Sequence, residues 1–231
     1  MEPTATPNSG NDPLAGANIG RRDTSVEIAS KQAVSLLAEQ VNNNQLPLDL
    51  AFKAVADAAN NPEVKAAYSH MAEVLKNQSL QFPKAEMSKF PNVFDRSLGA
   101  MISSGLAGGV LDIVLDRAAR CLNAEVPDGP ELEQRKWALR LGVLVSSGVP
   151  ILEAMRISET VVRDAGFLNL LKDAFDRVRA GDAIANTEIF NLSADLNAAL
   201  DRGENTGDLD TELIAYSKSN YRSSSEPAPA T

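Results

Sequence analysis

The residues that most resemble a chemical site lie in the stretch "ALDRGENTGDLDTELIAY", residues 199–216, where acidic side chains and glycines are crowded together. A calcium loop needs Asp at its first place, oxygen ligands at the third and fifth, Gly at the sixth and Glu at the twelfth. With Asp201 first, Glu212 falls at the twelfth place, but Gly203 and Thr206 occupy the third and sixth. The pattern therefore argues against a dedicated calcium site and leaves open only an adventitious cation on the acid cluster.

The backbone pattern of this stretch occurs earlier in the chain without most of its acids. The segment "SGLAGGVLDIVL" aligns with "RGENTGDLDTEL", so that Gly105 matches Gly203 and Gly109 matches Gly207. We interpret the first glycine of each pair as the left-handed residue that closes a helix, and the second as part of the tight turn that follows. Both segments are therefore predicted to be corners between two helices, with the glycines serving geometry.

Three residues are candidates for contact with a partner protein. Glu204 lies near the start of the next helix, where amide groups attract negative charge, so capping of the turn and contact with a partner both stay open for it. Asp208 is a second acidic candidate in the same corner. Trp137 shares one side of its helix with Leu141 and Leu144, which predicts a core or interface residue.

No set of residues in the sequence has the spacing of a catalytic or cofactor site. The chain has one histidine, His70, whose neighbours supply no second ligand or base, so we interpret it as a helix-surface residue. Its one cysteine, Cys121, occurs at helical spacing with Leu115 and Leu122, which favours a small core residue over a reactive thiol. No metal motif, phosphate-binding glycine loop or nucleophilic serine motif is present. We therefore predict a protein without enzymatic activity, metal or cofactor.

The composition narrows the class of protein. The chain has 231 residues, of which 44% are hydrophobic and 5% aromatic, and alanine and leucine are abundant, which favours packed helices. The net charge of −9 and the lack of a Lys/Arg cluster exclude a nucleic-acid groove and leave room for a basic protein partner. The most apolar window, residues 137–155, is interrupted by Arg140, Gly148 and Pro150, so we expect no membrane-spanning helix. The polar first residues lack a secretory signal, which predicts a cytoplasmic protein.

The elements that must position these residues are helices separated by clear stop signals. Polar, Pro-rich ends predict disordered tails over 1–22 and 223–231, and "EVPDGP" predicts a linker over 125–130. Asp23 or Thr24 is the expected cap of the first helix, Pro47 begins the second, and Asn61 caps a third that begins at Pro62. A short piece follows around Lys84 to Lys89, the stretch "FPNVFDRSLGAMISSG" starts the fifth helix, and "GGVLDIVLDRAARCLN" supplies the sixth.

This series of elements occurs twice. Pro150 in "VSSGVPILEAMRI" aligns with Pro47 in "NNNQLPLDLAFKA", and the later segments match in the same order. A repeat of this length indicates a duplicated domain. We predict an all-α protein of two tandem antiparallel bundles, each of about six helices, over residues 23–124 and 131–222.

Both halves resemble the cytoplasmic domain of the type II secretion system F family, the inner-membrane platform protein that type IV pilus machines also use. The second half carries "SSGVPILEAM", "RAGDAI" and "RGENTGDLDTEL", and the first carries "KFPNVF" and "SGLAGGVLDIVL". In this pattern Gly148 and Pro150 are turn residues, as are the glycines of the two corners. The chain departs from the family in lacking its membrane helices, in Leu106 replacing the glutamate of the "GE" pair, and in Gln45 replacing the glycine before the proline.

The resemblance implies a non-enzymatic interaction protein. We expect a soluble scaffold or adaptor for filament or secretion assembly, peripheral to the inner membrane only through its partners. The implied partners are the assembly ATPase and inner-membrane assembly proteins, and a homodimer is plausible because helical bundles with leftover apolar stripes often pair. The alternative is a soluble decoy that competes for the ATPase.

Overall fold

The computed structural model describes residues 24–77, 83–129, 131–185 and 193–219. Over these ranges the chain forms eleven α-helices, one short 3-10 helix and no strand, which confirms the all-α prediction. Within the described ranges, no helix combines the length with the hydropathy that a membrane span requires. Both predicted tails, and the candidate cap Asp23, lie outside the described residues.

The first bundle contains six helices. They are α1 (Thr24–Asn42), α2 (Leu48–Ala58), α3 (Pro62–Asn77), α4 (Pro83–Met87), α5 (Arg96–Gly108) and α6 (Leu111–Asn123). Helix α1 runs antiparallel to α6, because the side chain of Asn42 donates to the Asp112 carbonyl at 3.1 Å while that of Asn123 donates to the Ser35 hydroxyl at 3.0 Å. The first and last helices of this bundle therefore pack along their lengths.

The second bundle repeats this order in its described part. Its helices are α7 (Leu132–Ser146), α8 (Ile151–Ser158), the 3-10 helix (Glu159–Val161), α9 (Ala165–Ala180), α10 (Ala194–Thr206) and α11 (Leu209–Lys218). Arg135, near the start of α7, donates to the carbonyl of Ser219, just after α11, at 2.7 Å. Its first and last helices are therefore antiparallel too, as the internal duplication predicts.

Helix caps recur at equivalent positions of the two bundles. The predicted cap of α3 is confirmed, since the side-chain oxygen of Asn61 accepts from the amide of Val64 at 3.2 Å. In the second bundle Asp164 caps α9 in the same way, accepting from the amide of Phe167 at 2.6 Å. These side chains satisfy amides that have no partner within the first turn of a helix.

One predicted helix start was a residue early, and another is located by its cap. Helix α2 begins at Leu48, and Pro47 is the non-helical residue just before it. Helix α5 begins at Arg96, inside the stretch predicted to start it, and the side chain of Asp95 caps it by accepting from the amide of Leu98 at 2.8 Å. The "FPNVF" segment forms turns, in which the amide of Phe94 donates to the carbonyl of Phe90 at 2.9 Å.

Each bundle has an aromatic contact in its core. Phe52 and Tyr68 lie 5.3 Å apart between ring centroids, and Phe94 lies 5.0 Å from Tyr68, with all three side chains buried. In the second bundle Trp137 meets Phe167 edge to face at 6.0 Å. Such pairs add to the free energy that burial of their apolar surface supplies.

The turns before Pro47 and Pro150 each contain a residue in the left-handed conformation. Gly148 has φ of 78° and Gln45, at the equivalent place in the first bundle, has φ of 51°. Glutamine is strained in this region because its Cβ crowds the backbone, whereas glycine is not. The family glycine that Gln45 replaces is therefore explained by geometry.

Replacing Gln45 with glycine will stabilise the protein by about 0.5–1 kcal/mol, because relief of the strain exceeds the extra freedom of the unfolded chain. The Gln45 side chain is exposed and makes no hydrogen bond to the described residues, so little else is lost. Urea unfolding followed by circular dichroism measures the change. The matched control, Gly148→Ala, should destabilise, since its Cβ would also lie 3.1 Å from the Ser104 hydroxyl. A Gln45→Gly protein no more stable than the wild type would contradict this explanation.

Candidate partner-binding site

The corner between α10 and α11 is built by two glycines with different roles. Helix α10 continues through Gly203 to Thr206, and Gly207 is the left-handed residue, with φ of 81°. The first bundle repeats this at Gly109, which closes α5 with φ of 68°. The predicted corners exist, but the assignment of the left-handed role to the first glycine of each pair, Gly105 and Gly203, was wrong.

Gly203 and Gly105 are instead points of close approach between helices. Both are buried within their helices. A Cβ on Gly203 would lie 2.6 Å from the Cα of Leu209, and one on Gly105 would lie 3.1 Å from the Cα of Leu111. The missing side chain therefore lets the next helix fold back directly against this turn.

Glu204 makes contacts that the sequence did not predict. Its two carboxylate oxygens accept from the backbone amides of Ile184 and Ala185, each at 2.7 Å, on the loop after α9. The carboxylate thus ties the corner to a loop twenty residues earlier. No local signal in the sequence pairs these positions. The first bundle, with Leu106 at this place, cannot form the same bonds, and a partner role for the exposed Glu204 stays a prediction.

Replacing Glu204 with glutamine will free the loop at 184–185. A glutamine offers one acceptor oxygen where the carboxylate offers two, and hydrogen bonds to a charged acceptor are the stronger kind. The amides of Ile184 and Ala185 should therefore exchange with solvent about 10-fold faster, measured by hydrogen exchange and NMR. Asp201→Asn, on the same helix, is the charge-matched control. Unchanged exchange in Glu204→Gln would show that the Glu204 carboxylate does not hold these two amides in solution.

The other acids of the corner are separately engaged or exposed. Glu212 pairs with Arg202 at 2.8 Å and Asp201 accepts from Asn205 at 3.2 Å, so the first and last places of the failed calcium pattern have other partners. Asp208 is exposed and its side chain caps no amide of α11. In the described part of the chain, no group of three or more His, Cys, Asp or Glu residues is arranged to hold a metal. Contact of the exposed Asp208 with a partner stays a prediction.

The candidate Trp137 lies in the core. Its side chain is 0% exposed and is the largest fully buried one of the described residues. It packs on Phe167 from α9, and so joins α7 to that helix. Of the two roles open for Trp137, core or interface, the structure shows the core. The prediction that Trp137 contacts a partner directly was wrong, because a fully buried side chain cannot reach one.

His70 has a carboxylate partner that its sequence neighbours did not reveal. Its Nε2 lies 2.6 Å from Oε2 of Glu86 on α4, and Lys89 lies 2.7 Å from the same oxygen. The hydrogen bond from Lys89, and to a lesser extent the one from His70, lower the pKa of Glu86 below its ordinary value of 4.5. Separately, burial raises the pKa of the Cys121 thiol, which disfavours the reactive thiolate. Cys121 is partly buried and packs against the core, so it lies at the edge of the predicted core position.

The lowered pKa of Glu86 gives a pH-dependent contribution to stability. The folded protein holds the ionised form more strongly than the unfolded chain does. The contribution is therefore present above pH 4.5 and is lost as the pH falls through the lower folded pKa. Glu86→Gln should lower the melting temperature near neutral pH, and its difference from the wild type should shrink below about pH 4. The exposed Glu73→Gln is the charge-matched control. A difference independent of pH would contradict the ionic origin.

The two bundles touch through an ion pair between α7 and the residue that caps α5. The Nη1 atom of Arg140 lies 2.7 Å from Oδ2 of Asp95, and their side chains are only 16% and 17% exposed. Burial by itself would lower the pKa of Arg140, but the charge of Asp95, the Cys121 thiol and the hydrogen bond to Asp95 together outweigh it, and the pKa is raised. Asp95 also caps α5, so one carboxylate serves both the helix and the contact between bundles.

The comparison with known protein families agrees with the duplication in the structure. The family described as "Type II secretion system (T2SS), protein F" matches residues 33–126 and again residues 137–224. The first match spans α1 to α6 apart from the start of α1, and the second spans most of α7 and continues through α11. Together the two matches cover most of the chain. The protein therefore belongs to the type II secretion system protein F family and carries the family's helical domain twice in tandem.

Proposed function

We propose that this protein is a non-enzymatic scaffold or adaptor in the assembly of a secretion system or type IV pilus. It acts on the cytoplasmic side, at the inner membrane through its partners, and those partners are the assembly ATPase and inner-membrane assembly proteins. The observation that carries the proposal is the tandem match of the platform-protein domain over both bundles. A domain present twice on one chain offers two related surfaces to an assembly.

The contact between the bundles supports a scaffold role. The Arg140–Asp95 pair joins α7 to α5 across the two copies and is mostly shielded from water. A shielded ion pair resists screening by salt more than an exposed one does. Surfaces on the two bundles are then held in a defined relation, which is what a scaffold needs. A homodimer is also part of this proposal, and light scattering on the purified chain measures it.

Capture from the native host tests the function. A tagged chain, cross-linked in cells, should recover the assembly ATPase or inner-membrane components of a pilus or secretion system. Asp208→Asn tests the corner, because Asp208 is exposed and caps no helix, so its loss should leave the fold intact. Weaker capture by Asp208→Asn at unchanged stability would support the corner as the contact. Recovery of no such component by the wild type would sink the proposal.

The competing role, a decoy for the ATPase, makes the opposite genetic prediction. Loss of an adaptor impairs twitching or secretion, whereas overproduction of a decoy impairs them. Deletion and overexpression in the same host, scored for both phenotypes, therefore separate the two functions. Impairment on deletion is the result that the adaptor predicts.

A further inference from the structure

The two bundles differ in residue type at four equivalent positions. The four large apolar side chains that are exposed in the described part of the chain are all in the first bundle: Ile28 (52%), Leu50 (47%), Val110 (40%) and Ile113 (47%). Alignment of Pro47 with Pro150 and of Gly109 with Gly207 places polar residues at these positions in the second bundle: Glu131, Glu153, Asp208 and Thr211. Since the second bundle folds with polar residues there, the fold does not require the apolar ones.

Three of these apolar residues lie at one end of the first bundle. Leu50 is in the first turn of α2, directly after the turn that ends α1, and Val110 and Ile113 are at the start of α6. The bond from the Asn42 side chain to the Asp112 carbonyl brings the end of α1 to the start of α6. Leu50, Val110 and Ile113 are therefore exposed at the same end of the bundle, and we call these three residues the apolar end. Ile28, near the start of α1, lies at the opposite end.

The apolar end is bordered by negative charge. Asp49 precedes Leu50, and Asp112 lies between Val110 and Ile113. Both acids are in first turns of helices, where negative charge is favourable, and neither forms an ion pair with the described residues. By contrast, Asp116 on the same helix pairs with Arg120 at 2.7 Å. The apolar surface therefore has an acidic rim whose charge is not neutralised within the chain.

We propose that the apolar end of the first bundle docks a basic amphipathic helix of a partner protein. Apolar side chains of that helix would cover Leu50, Val110 and Ile113, and its Lys or Arg residues would meet Asp49 and Asp112. The inference rests on the proposed function in one respect, that the chain works by contacting other proteins. It adds the location of one contact and the chemistry of the partner.

The negative charge around the apolar end favours a basic helix over a lipid surface or a second copy of this chain. An anionic lipid surface would be repelled by Asp49 and Asp112. A second copy of this chain, with net charge −9, would bring the same carboxylates to a two-fold contact and place like charges together. A basic helix satisfies both the apolar surface and its rim.

The second bundle supplies a test variant that should fold. Val110→Asp with Ile113→Thr installs the residues that the second bundle carries at the equivalent positions, Asp208 and Thr211. The probe is a fluorescent synthetic helix with leucines on one face and lysines on the other, and its anisotropy measures binding to the full chain. We expect the double variant to bind this probe at least about 10-fold more weakly than the wild type. Equal affinity at unchanged melting temperature would overturn the proposal.

Three further measurements test the role of the acidic rim and the two other occupants, a membrane and a second copy of the chain. A probe with glutamates in place of the lysines should bind at least about 10-fold more weakly, and equal binding would overturn the role of the acidic rim. Binding of the wild type to phosphatidylserine vesicles, lost in the double variant, would overturn the proposal in favour of a membrane. A dimer seen by light scattering and lost in the double variant would overturn it in favour of a second copy.

Capture from the host separates this inference from the proposed function. If the wild type recovers assembly components and the double variant recovers less of at least one of them, both stand. If the two proteins recover the same components equally, the function stands and the apolar end is not the docking site. If neither recovers any such component, the proposed function fails, while probe binding still reports on the surface itself.

Discussion

Replacing Gly203 with alanine will destabilise the protein by about 2 kcal/mol or more. A methyl group at this position would lie 2.6 Å from the Cα of Leu209 and 3.2 Å from its backbone nitrogen. These are backbone atoms at the start of α11, so no side-chain rotation relieves the clash. The helix must move away from α10, and the packing of α11 on α7 is disturbed with it. This cost exceeds the gain of about 1 kcal/mol that alanine usually has over glycine in a helix.

Urea unfolding of a matched set of variants measures this effect. Gly108→Ala, in the last turn of α5, is the control, because its Cβ would meet only the end of the Val110 side chain at 3.4 Å. It should be neutral or slightly stabilising. Gly105→Ala should fall between the two, since its nearest contacts are at 3.0 and 3.1 Å. Equal stabilities of Gly203→Ala and Gly108→Ala would mean that the close approach of the two helices is not required.

Replacing Arg140 with methionine will destabilise the protein by about 2–4 kcal/mol. Methionine keeps much of the apolar length of arginine, so the packing loss is small. The carboxylate of Asp95 would keep its bond from the amide of Leu98 but would lose the guanidinium that faces it at 2.7 Å. Because this carboxylate is only 17% exposed, water replaces the lost charge poorly.

A double-mutant cycle isolates the ion pair. Asparagine at position 95 keeps the helix cap without the charge, so Arg140→Met with Asp95→Asn should recover at least about half of the loss. Thermal unfolding gives the four stabilities of the cycle, and limited proteolysis of the linker region reports whether the bundles separate in Arg140→Met. The exposed pair Lys53–Asp57 is a suitable comparison and should show a coupling below about 1 kcal/mol. A coupling as small for Arg140 and Asp95 would show that the pair does not join the bundles.

The corners show how much of this fold was readable from local signals. The repeated glycines correctly predicted two helix-turn-helix corners, because a glycine in the left-handed conformation commonly ends a helix where the chain turns. They did not reveal which glycine is left-handed. That depends on how far α5 and α10 continue, and each continues for another turn because Gly105 and Gly203 pack against the helix that follows. Helix length was thus decided by packing.

The candidate site was less readable than the fold. Glu204 was recognised as unusual, but its contacts with Ile184 and Ala185 join segments whose proximity no periodic pattern encodes. His70 appeared isolated because its partner Glu86 lies on another helix. The apolar end became visible only when the exposure of each side chain could be compared between equivalent positions of the two bundles.

The sequence alone determined the helical class, the duplication and the family, because these depend on local residue order that repeats along the chain. Apolar spacing, caps such as Asn61 and turn glycines act within a few residues of themselves. The tertiary structure alone decided that Trp137 is buried, that Glu204 holds a distant loop, and that Arg140 meets Asp95 across the bundles. Each of these depends on which distant parts of the chain come together. Burial of apolar area favours such contacts, but it is non-directional and does not specify which residues meet.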